Sequence, residues 1–189
     1  MIQKEDIKKA VEVLEAGGTI IYPADTIWSL GCDATNSKAV EKIYRIKFRS
    51  HKNKLILLAS DQNMINKYVK FVPDIATELM NSFQGPLTII YDNAKNLPKN
   101  VLGENGTIPI RIPKSDFCIE LIKYFGKPIT STSAKLSGEI NPVTYHKINP
   151  KILEATDYIC QTNRDFVNSP KPSTIIKVDE YGVMQVIRG

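Results

Sequence analysis

The sequence predicts an α/β domain built on an open, twisted sheet of mixed parallel and antiparallel strands with flanking helices. Three observations predict it. Amphipathic helical stretches alternate with short apolar runs of strand length, an order that builds a sheet with helices on its faces. The chain closes differently, on two strand-like runs joined around Gly182, a hairpin pattern that makes the sheet mixed. The length of 189 residues fits one domain, 1–189. A chain of that size buries roughly 70% of the surface its unfolded form exposes, with no need of a metal or disulfide to fold.

Taken in order, residues 5–16 carry Ile7, Val11 and Leu14 at helical spacing, and Gly17-Gly18 supply the stop. Residues 19–22 read as a buried strand ended by Pro23. Val40, Ile43 and Ile46 share one face of a helix over 37–46, with Asn36 or Ser37 as its N-cap. Residues 55–58 are a second buried strand. Helices follow over 61–69 and 73–82, the latter with Pro73 at its first position and Asp74 in its first turn. Strands are predicted over 87–91 and 108–112, then a helix capped by Ser115 and stopped by Gly126. The remaining strands are 128–130, 158–160, 173–178 and 183–187. Residues 139–150 and 161–172, rich in Pro, Asn and Lys, read as irregular connectors.

Composition narrows the function classes. Apolar residues make up 42% and charged residues 24%, which is globular rather than disordered. No apolar run approaches membrane-spanning length and no apolar leader opens the sequence, so the expected location is the cytoplasm, with no membrane partner. Cys32, Cys118 and Cys160 are far apart and form no Cys-x-x-Cys pair; they read as buried structural thiols. The two histidines, His51 and His146, have no acidic neighbour in sequence, which argues against a zinc hydrolase or a Ser-His-Asp triad. The net charge of +5 is concentrated: residues 38–54 hold seven bases against one acid, while the rest of the chain sums to −1. Such a positive field at an element edge favours phosphates or another polyanion. Neither common nucleotide motif is present. Gly126-Lys127 lacks the partners of a phosphate loop, and Gly17-Gly18 follows a helix where a dinucleotide fingerprint follows a strand.

Four segments nonetheless share one character, with hydroxyl, amide or basic side chains at strand ends: 22–31, 47–49, 107–111 and 130–138. Hydroxyls and guanidinium groups without a histidine base suit the binding of phosphate and carboxylate oxygens. Tyr22 and Trp28 read as core or groove-wall aromatics rather than stacking platforms.

Together these segments resemble the YrdC/Sua5 family of threonylcarbamoyl-adenylate synthases. The family's Tyr-Pro-Thr-Asp/Glu-Thr-x-Tyr-Gly-Leu-Gly appears as Tyr22-Pro-Ala-Asp-Thr-Ile-Trp-Ser-Leu-Gly31, and its Lys-x-Arg as Lys47-Phe48-Arg49. Its Gly-Pro-Leu-Thr stands at 85–88, its Arg-x-Pro at 111–113 and its Pro-Ser-Thr-Ile/Val at 172–175. Its Ser-Thr-Ser-Ala-Asn-x-Ser-Gly stands at 131–138, and its terminal Arg is Arg188. The match runs through nearly the whole chain in order and implies the YrdC-like fold in its short, single-domain form. Departures are Ala24 for Thr, Ser29 for Gly, Phe48 for Gly, Ser50 for Pro, Asn53 for Lys and Lys135 for Asn. Lys52 or Lys54 would supply the charge lost at Asn53.

The resemblance implies condensation of L-threonine, bicarbonate and ATP into threonylcarbamoyl-AMP, with release of pyrophosphate. A tRNA threonylcarbamoyl transferase complex downstream then modifies adenosine 37 of tRNA. It implies Mg²⁺ on the triphosphate and no metal bound by the protein itself. It places Thr26, Arg111 and Ser131 on threonine, with Arg111 on the α-carboxylate. It places Arg49, Asn53, Thr107, Ser133, Asn141 and Arg188 on the nucleotide, Lys47 on the phosphates, and Ser173 in the same groove, with Lys47 and Arg49 as the catalytic cations. Two other readings stay open: a non-catalytic module binding tRNA or double-stranded RNA, to which the basic window points, and an inactive paralogue, to which Ala24, Ser29 and Lys135 point. A relative of the hydrogenase-maturation carbamoyltransferases fits less well, because those chains are far longer and carry zinc-finger-like cysteines.

Overall fold

The computed structural model describes residues 4–50, 54–165 and 172–189. Its strands are β1 (Thr19–Pro23), β2 (Trp28–Cys32), β3 (Ile56–Leu58), β4 (Leu87–Tyr91), β5 (Ile108–Arg111), β6 (Ile129–Ser133), β7 (Tyr158–Ile159), β8 (Thr174–Val178) and β9 (Met184–Arg188). Together they form one sheet in the order β7-β1-β2-β6-β3-β5-β4-β8-β9. The pairs β7–β1, β3–β5 and β4–β8 are parallel and the other neighbours antiparallel, so the sheet is mixed. The helices are α1 (Lys4–Glu15), α2 (Ser37–Ile46), α3 (Gln62–Tyr68), α4 (Asp74–Ser82), α5 (Asp116–Phe125) and α6 (Pro150–Glu154).

Three elements depart from the sequence reading. Residues 28–32 form a strand, although Trp-Ser-Leu-Gly-Cys is poor in β-branched residues. The strand exists because it is paired on both sides, Tyr22 opposite Ser29 on one edge and Ser29 opposite Ser133 on the other. Residue 31 must be glycine there, since a Cβ would lie 2.2 Å from the Thr130 carbonyl oxygen. The strand expected over 128–130 continues to Ser133, so the hydroxyl run is itself strand, held by β2 and β3. The stretch expected to be irregular after residue 139 runs into the short α6, capped by Asn149 with Pro150 in its first turn.

The core lies between sheet and helices. Ile7, Ala10, Val11 and Leu14 of α1 are buried, and α1 packs on α5 and β1. Asp6, in the first turn of α1, is buried too. Tyr158 Oη (2.6 Å), Thr162 Oγ1 (2.6 Å), Thr162 N and Gln161 N all donate to its carboxylate. Burial pushes that carboxyl up, but the hydrogen bonds from Thr162, Tyr158 and Gln161 outweigh it and hold it below the usual range. Cys32, Cys118 and Cys160 are free and buried as expected, and burial pushes the Cys32 and Cys118 thiols up to about 12. No helix among the described residues is long and apolar enough to cross a membrane.

Strand alternation sets up the site. Leu57, Ile89, Ile110 and Ile176 point into the core, so their neighbours Ile56, Ile90, Arg111 and Ile175 point to the opposite face. That face holds a cavity.

Candidate active site

The cavity has a volume of about 430 Å³ and opens on solvent. Its apolar part comes from Ile27, Ile56, Ile90, Pro109, Pro172 and Ile175. Its polar part comes from Thr26 in the β1–β2 connection, Ser29 on β2, Ser131 to Ser133 on β6, Asn141 and Ser173, and its cations are Arg49, Lys54, Arg111 and Arg188. An apolar strip edged by hydroxyls and guanidinium groups can take a flat ring together with phosphate or carboxylate oxygens.

Arg111 stands out. It ends β5, is only 4% exposed, and its Nη2 lies 3.0 Å from Asp25 Oδ1. That contact is one of charge rather than an aligned hydrogen bond, for Oδ1 has no hydrogen-bond donor. Asp25 is fixed in turn by the backbone N–H of Lys114, which donates to Oδ2 at 2.9 Å. The Nε and Nη1 atoms of Arg111 are buried with no acceptor. Buried guanidinium donors are costly to leave unpaired. Two of them beside a cavity make a receptor for an anionic oxygen. Next to them Ser131 Oγ donates to Ser29 Oγ at 3.3 Å, and Ser29 Oγ donates to the Ile27 carbonyl, also at 3.3 Å.

Arg188 and Arg49 are held in large part by backbone carbonyls. Arg188 Nε and Nη2 donate to the Ser173 carbonyl at 3.0 and 2.7 Å, and Ser173 Oγ lies 2.8 Å from Thr88 Oγ1. Arg49 Nη2 donates to the Lys54 carbonyl at 3.1 Å and Nη1 to Thr132 Oγ1 at 3.3 Å. Arg49 reaches the cavity because of how α2 ends. Phe48 is left-handed (φ 48°), Phe48 N donates to Arg45 O at 3.1 Å and Arg49 N to Tyr44 O at 2.9 Å. This is a complete Schellman motif, and its left-handed position is where glycine is normally found. The Phe48 side chain is 81% exposed.

The structure thus gathers Thr26, Arg49, Arg111, Ser131, Ser133, Asn141, Ser173 and Arg188 around one cavity. Two expected residues stand elsewhere. Thr107 does not line it, and its hydroxyl donates to the Glu104 carbonyl at 3.0 Å. Lys47 is 2% exposed and its ammonium donates to the carbonyls of Ser133 and Lys135, so its charge is spent inside the protein. Burial, followed by repulsion from Arg49 and Lys135, brings its pKa down to about 7, against a smaller upward pull from Glu139. Asn53 lies outside the described residues. Tyr22 and Trp28 are both fully buried core aromatics. Sequence reasoning missed Asp25 as the neighbour of Arg111, and Ser29 as part of the wall. Both sit inside the 22–31 segment, and alternation along β2 would have found Ser29 had 28–32 been read as strand.

The chain is similar to known proteins in sequence and in fold. A family model for Sua5, YciO and YrdC, described as telomere recombination, matches residues 12–189. A putative threonylcarbamoyl-AMP synthase of Methanocaldococcus jannaschii is 34% identical over 193 residues, covering 100% of this chain and 89% of the relative. The threonylcarbamoyl-AMP synthase of Pseudoalteromonas translucida is 32% identical over 178 residues, covering 93% of this chain and 94% of the relative. The crystal structure of E. coli YciO superposes with a TM-score of 0.85 at 29% identity, covering 98% of this chain and 89% of that one. A P. abyssi Sua5 structure superposes with a TM-score of 0.86 at 26% identity; the match covers 99% of this chain but only 57% of that longer one. On these matches the chain belongs to the Sua5/YciO/YrdC family.

Proposed function

We propose that this chain condenses L-threonine, bicarbonate and ATP into threonylcarbamoyl-AMP, releasing pyrophosphate. The observation that carries the proposal is the pair of unpartnered, buried Arg111 donors in a cavity that also presents Arg49, Lys54 and Arg188. Such a site takes a carboxylate at one end and phosphates at the other. The names of the relatives support the same reading.

The chemistry runs in two steps. The threonine amine attacks bicarbonate, forming the N–C bond of a carbamate with loss of water. A carbamate oxygen then attacks the α-phosphorus of ATP; the new P–O bond forms as the bond to the β-phosphate bridge breaks, and pyrophosphate leaves with the electron pair. The attacking carbamate is already anionic, so no strong protein base is required. The protein's tasks are orientation and neutralisation of crowded negative charge. In this proposal the Arg111 Nε and Nη1 donors take the α-carboxylate, and Thr26 and Ser131 flank the amino acid. Arg49, Ser133, Asn141, Ser173 and Arg188 hold the nucleotide against the apolar strip. Mg²⁺ arrives on the triphosphate as part of the substrate and screens its charge. The product is a mixed anhydride, which a tRNA threonylcarbamoyl transferase complex would consume at adenosine 37.

One mixture tests the proposal: protein, ATP, Mg²⁺, isotope-labelled bicarbonate and each amino acid in turn, read by mass spectrometry. The expected result is a labelled adenylate with threonine. No labelled adenylate with any amino acid would overturn it.

A further inference from the structure

Lys47 opens the Lys-x-Arg motif, yet its ammonium is not in the cavity. It is buried at the end of α2 and donates to two backbone carbonyls, those of Ser133 and Lys135. Its own carbonyl accepts from Ser137 Oγ at 3.1 Å and Ser137 N at 3.4 Å. Four hydrogen bonds therefore join one residue to the turn that leaves β6. That turn is also bonded within itself. Lys135 Nζ donates to the Glu139 carbonyl, and Leu136 N donates to Glu139 Oε2 at 2.9 Å. Ser133 and Asn141, at its two ends, both line the cavity.

We infer that Lys47 is a positioning residue: its hydrogen bonds to the 133–137 backbone set where Ser133 and Asn141 stand against the nucleotide, and it does not touch the phosphates. The physical reasons are burial and donor use. Carrying the ammonium into the cavity would break its bonds to both carbonyls, taking this donor from the half-buried Lys135 carbonyl and leaving the Ser133 carbonyl with Lys135 N alone. Arg49, two residues on, is turned the other way by the left-handed Phe48 and is the member of the motif that reaches the ligand side. The motif thus divides its labour, with the lysine inward on the turn and the arginine outward on the substrate. Lysine suits the inward role because a single small ammonium can reach two carbonyls at once, whereas a planar guanidinium presents a fixed fork.

This inference rests on the cavity being the nucleotide site, and its test separates the two. Affinities for adenosine, AMP and ATP are measured by calorimetry on the native protein and on Lys47→Met. A misplaced turn weakens all three ligands by a similar factor, about tenfold, because each loses the same Ser133 and Asn141 contacts. KM for ATP rises with it, while KM for threonine stays within about twofold; loss of general stability would not make that distinction. A loss for ATP about tenfold or more beyond that for adenosine would place Lys47 on the phosphates and overturn the inference. Amide hydrogen exchange at 134–139 supplies a readout that needs no ligand. Exchange speeds up in Lys47→Met and, by less, in the milder Ser137→Ala, which also serves should the first variant fail to fold. Unchanged protection in the variants that fold overturns the positioning role. Native protein that binds none of the three nucleotides overturns the site reading instead, and the exchange data still decide what Lys47 holds.

Discussion

Lys47 and Arg111 are both cations buried to within a few per cent of full enclosure, and they have opposite hydrogen-bond accounts. Lys47 donates to the Ser133 and Lys135 carbonyls, so its donors are used within the fold. Arg111 faces one carboxylate, Asp25, and keeps two buried donors without an acceptor. An unmade buried hydrogen bond costs about 1–3 kcal/mol, so the arrangement at Arg111 favours an arriving acceptor. Burial alone does not separate a structural cation from a functional one; unspent donors do.

The sharpest way to break that comparison is to truncate Arg111. Losing the carboxylate receptor in Arg111→Ala should lower adenylate formation by about two orders of magnitude, the worth of roughly 3 kcal/mol. The same change strands Asp25, 9% exposed, without its cation, and breaking a buried pair costs about 3–5 kcal/mol of stability. Removing both partners in Arg111→Met with Asp25→Leu should recover most of the stability and none of the turnover. Urea denaturation and pyrophosphate release read the two effects separately. Native turnover per folded molecule in Arg111→Ala would mean the unspent donors serve no ligand. Arg49→Ala should cost as much activity but only about 1 kcal/mol of stability, because its bonds to the Lys54 carbonyl and Thr132 Oγ1 sit at the half-buried cavity rim.

These contrasts were only partly legible beforehand. The α/β class, the closing hairpin and the motif segments follow from periodicity and residue type, because helices such as α5, with its Ser115 cap and Gly126 stop, obey local rules. Strand β2 was not legible, since its conformation comes from two neighbours rather than from Trp28, Ser29 and Leu30 themselves. Eight of the expected site residues share the cavity, and a motif can report that much, because it records which residues matter together. Direction is another matter. Whether Arg49 diverges from Lys47 depends on one left-handed residue at 48, and Phe is a poor signal for such a turn. The Asp25–Arg111 contact depends on the β1–β2 connection meeting the end of β5 across 86 residues of sequence, which no local pattern reports.

The buried amine can also be read through pH. Lys47 titrates near 7 in the folded protein against 10.5 for a free lysine. Below about 7 the folded state holds a proton that burial, Arg49 and Lys135 all disfavour, with Glu139 alone in opposition. That penalty is full at low pH, shrinks as pH rises from about 7 toward 10.5, and vanishes above, where the unfolded chain has lost the proton too. Stability of the native protein relative to Lys47→Met should therefore rise through this window and stay flat beneath it. Only the difference between the two proteins is informative, because tyrosines and buried thiols titrate in the same range with the opposite sign. Denaturant midpoints measured for both proteins across the window give the result; a difference that does not change with pH would mean that Lys47 is not held as described.

The smallest effect belongs to the residue that separates the two directions. Phe48 occupies the left-handed position of the α2 terminus, at φ 48°, where a residue with a Cβ is strained by about 1–2 kcal/mol. Its ring is 81% exposed and returns little of that by packing. Phe48→Gly should raise stability by about 1 kcal/mol after the added freedom of the unfolded glycine is counted, a melting shift of roughly 2–4 °C for a chain of this size. Phe48→Ala keeps the Cβ and should gain nothing, so the pair isolates backbone strain from loss of the ring. Adenylate formation should stay within about twofold in both variants, since Phe48 does not line the cavity. A stabilised Phe48→Gly with native turnover would show that the turn sending Lys47 inward and Arg49 outward needs only its backbone geometry; a large loss of turnover would mean that the exposed ring itself belongs to the site.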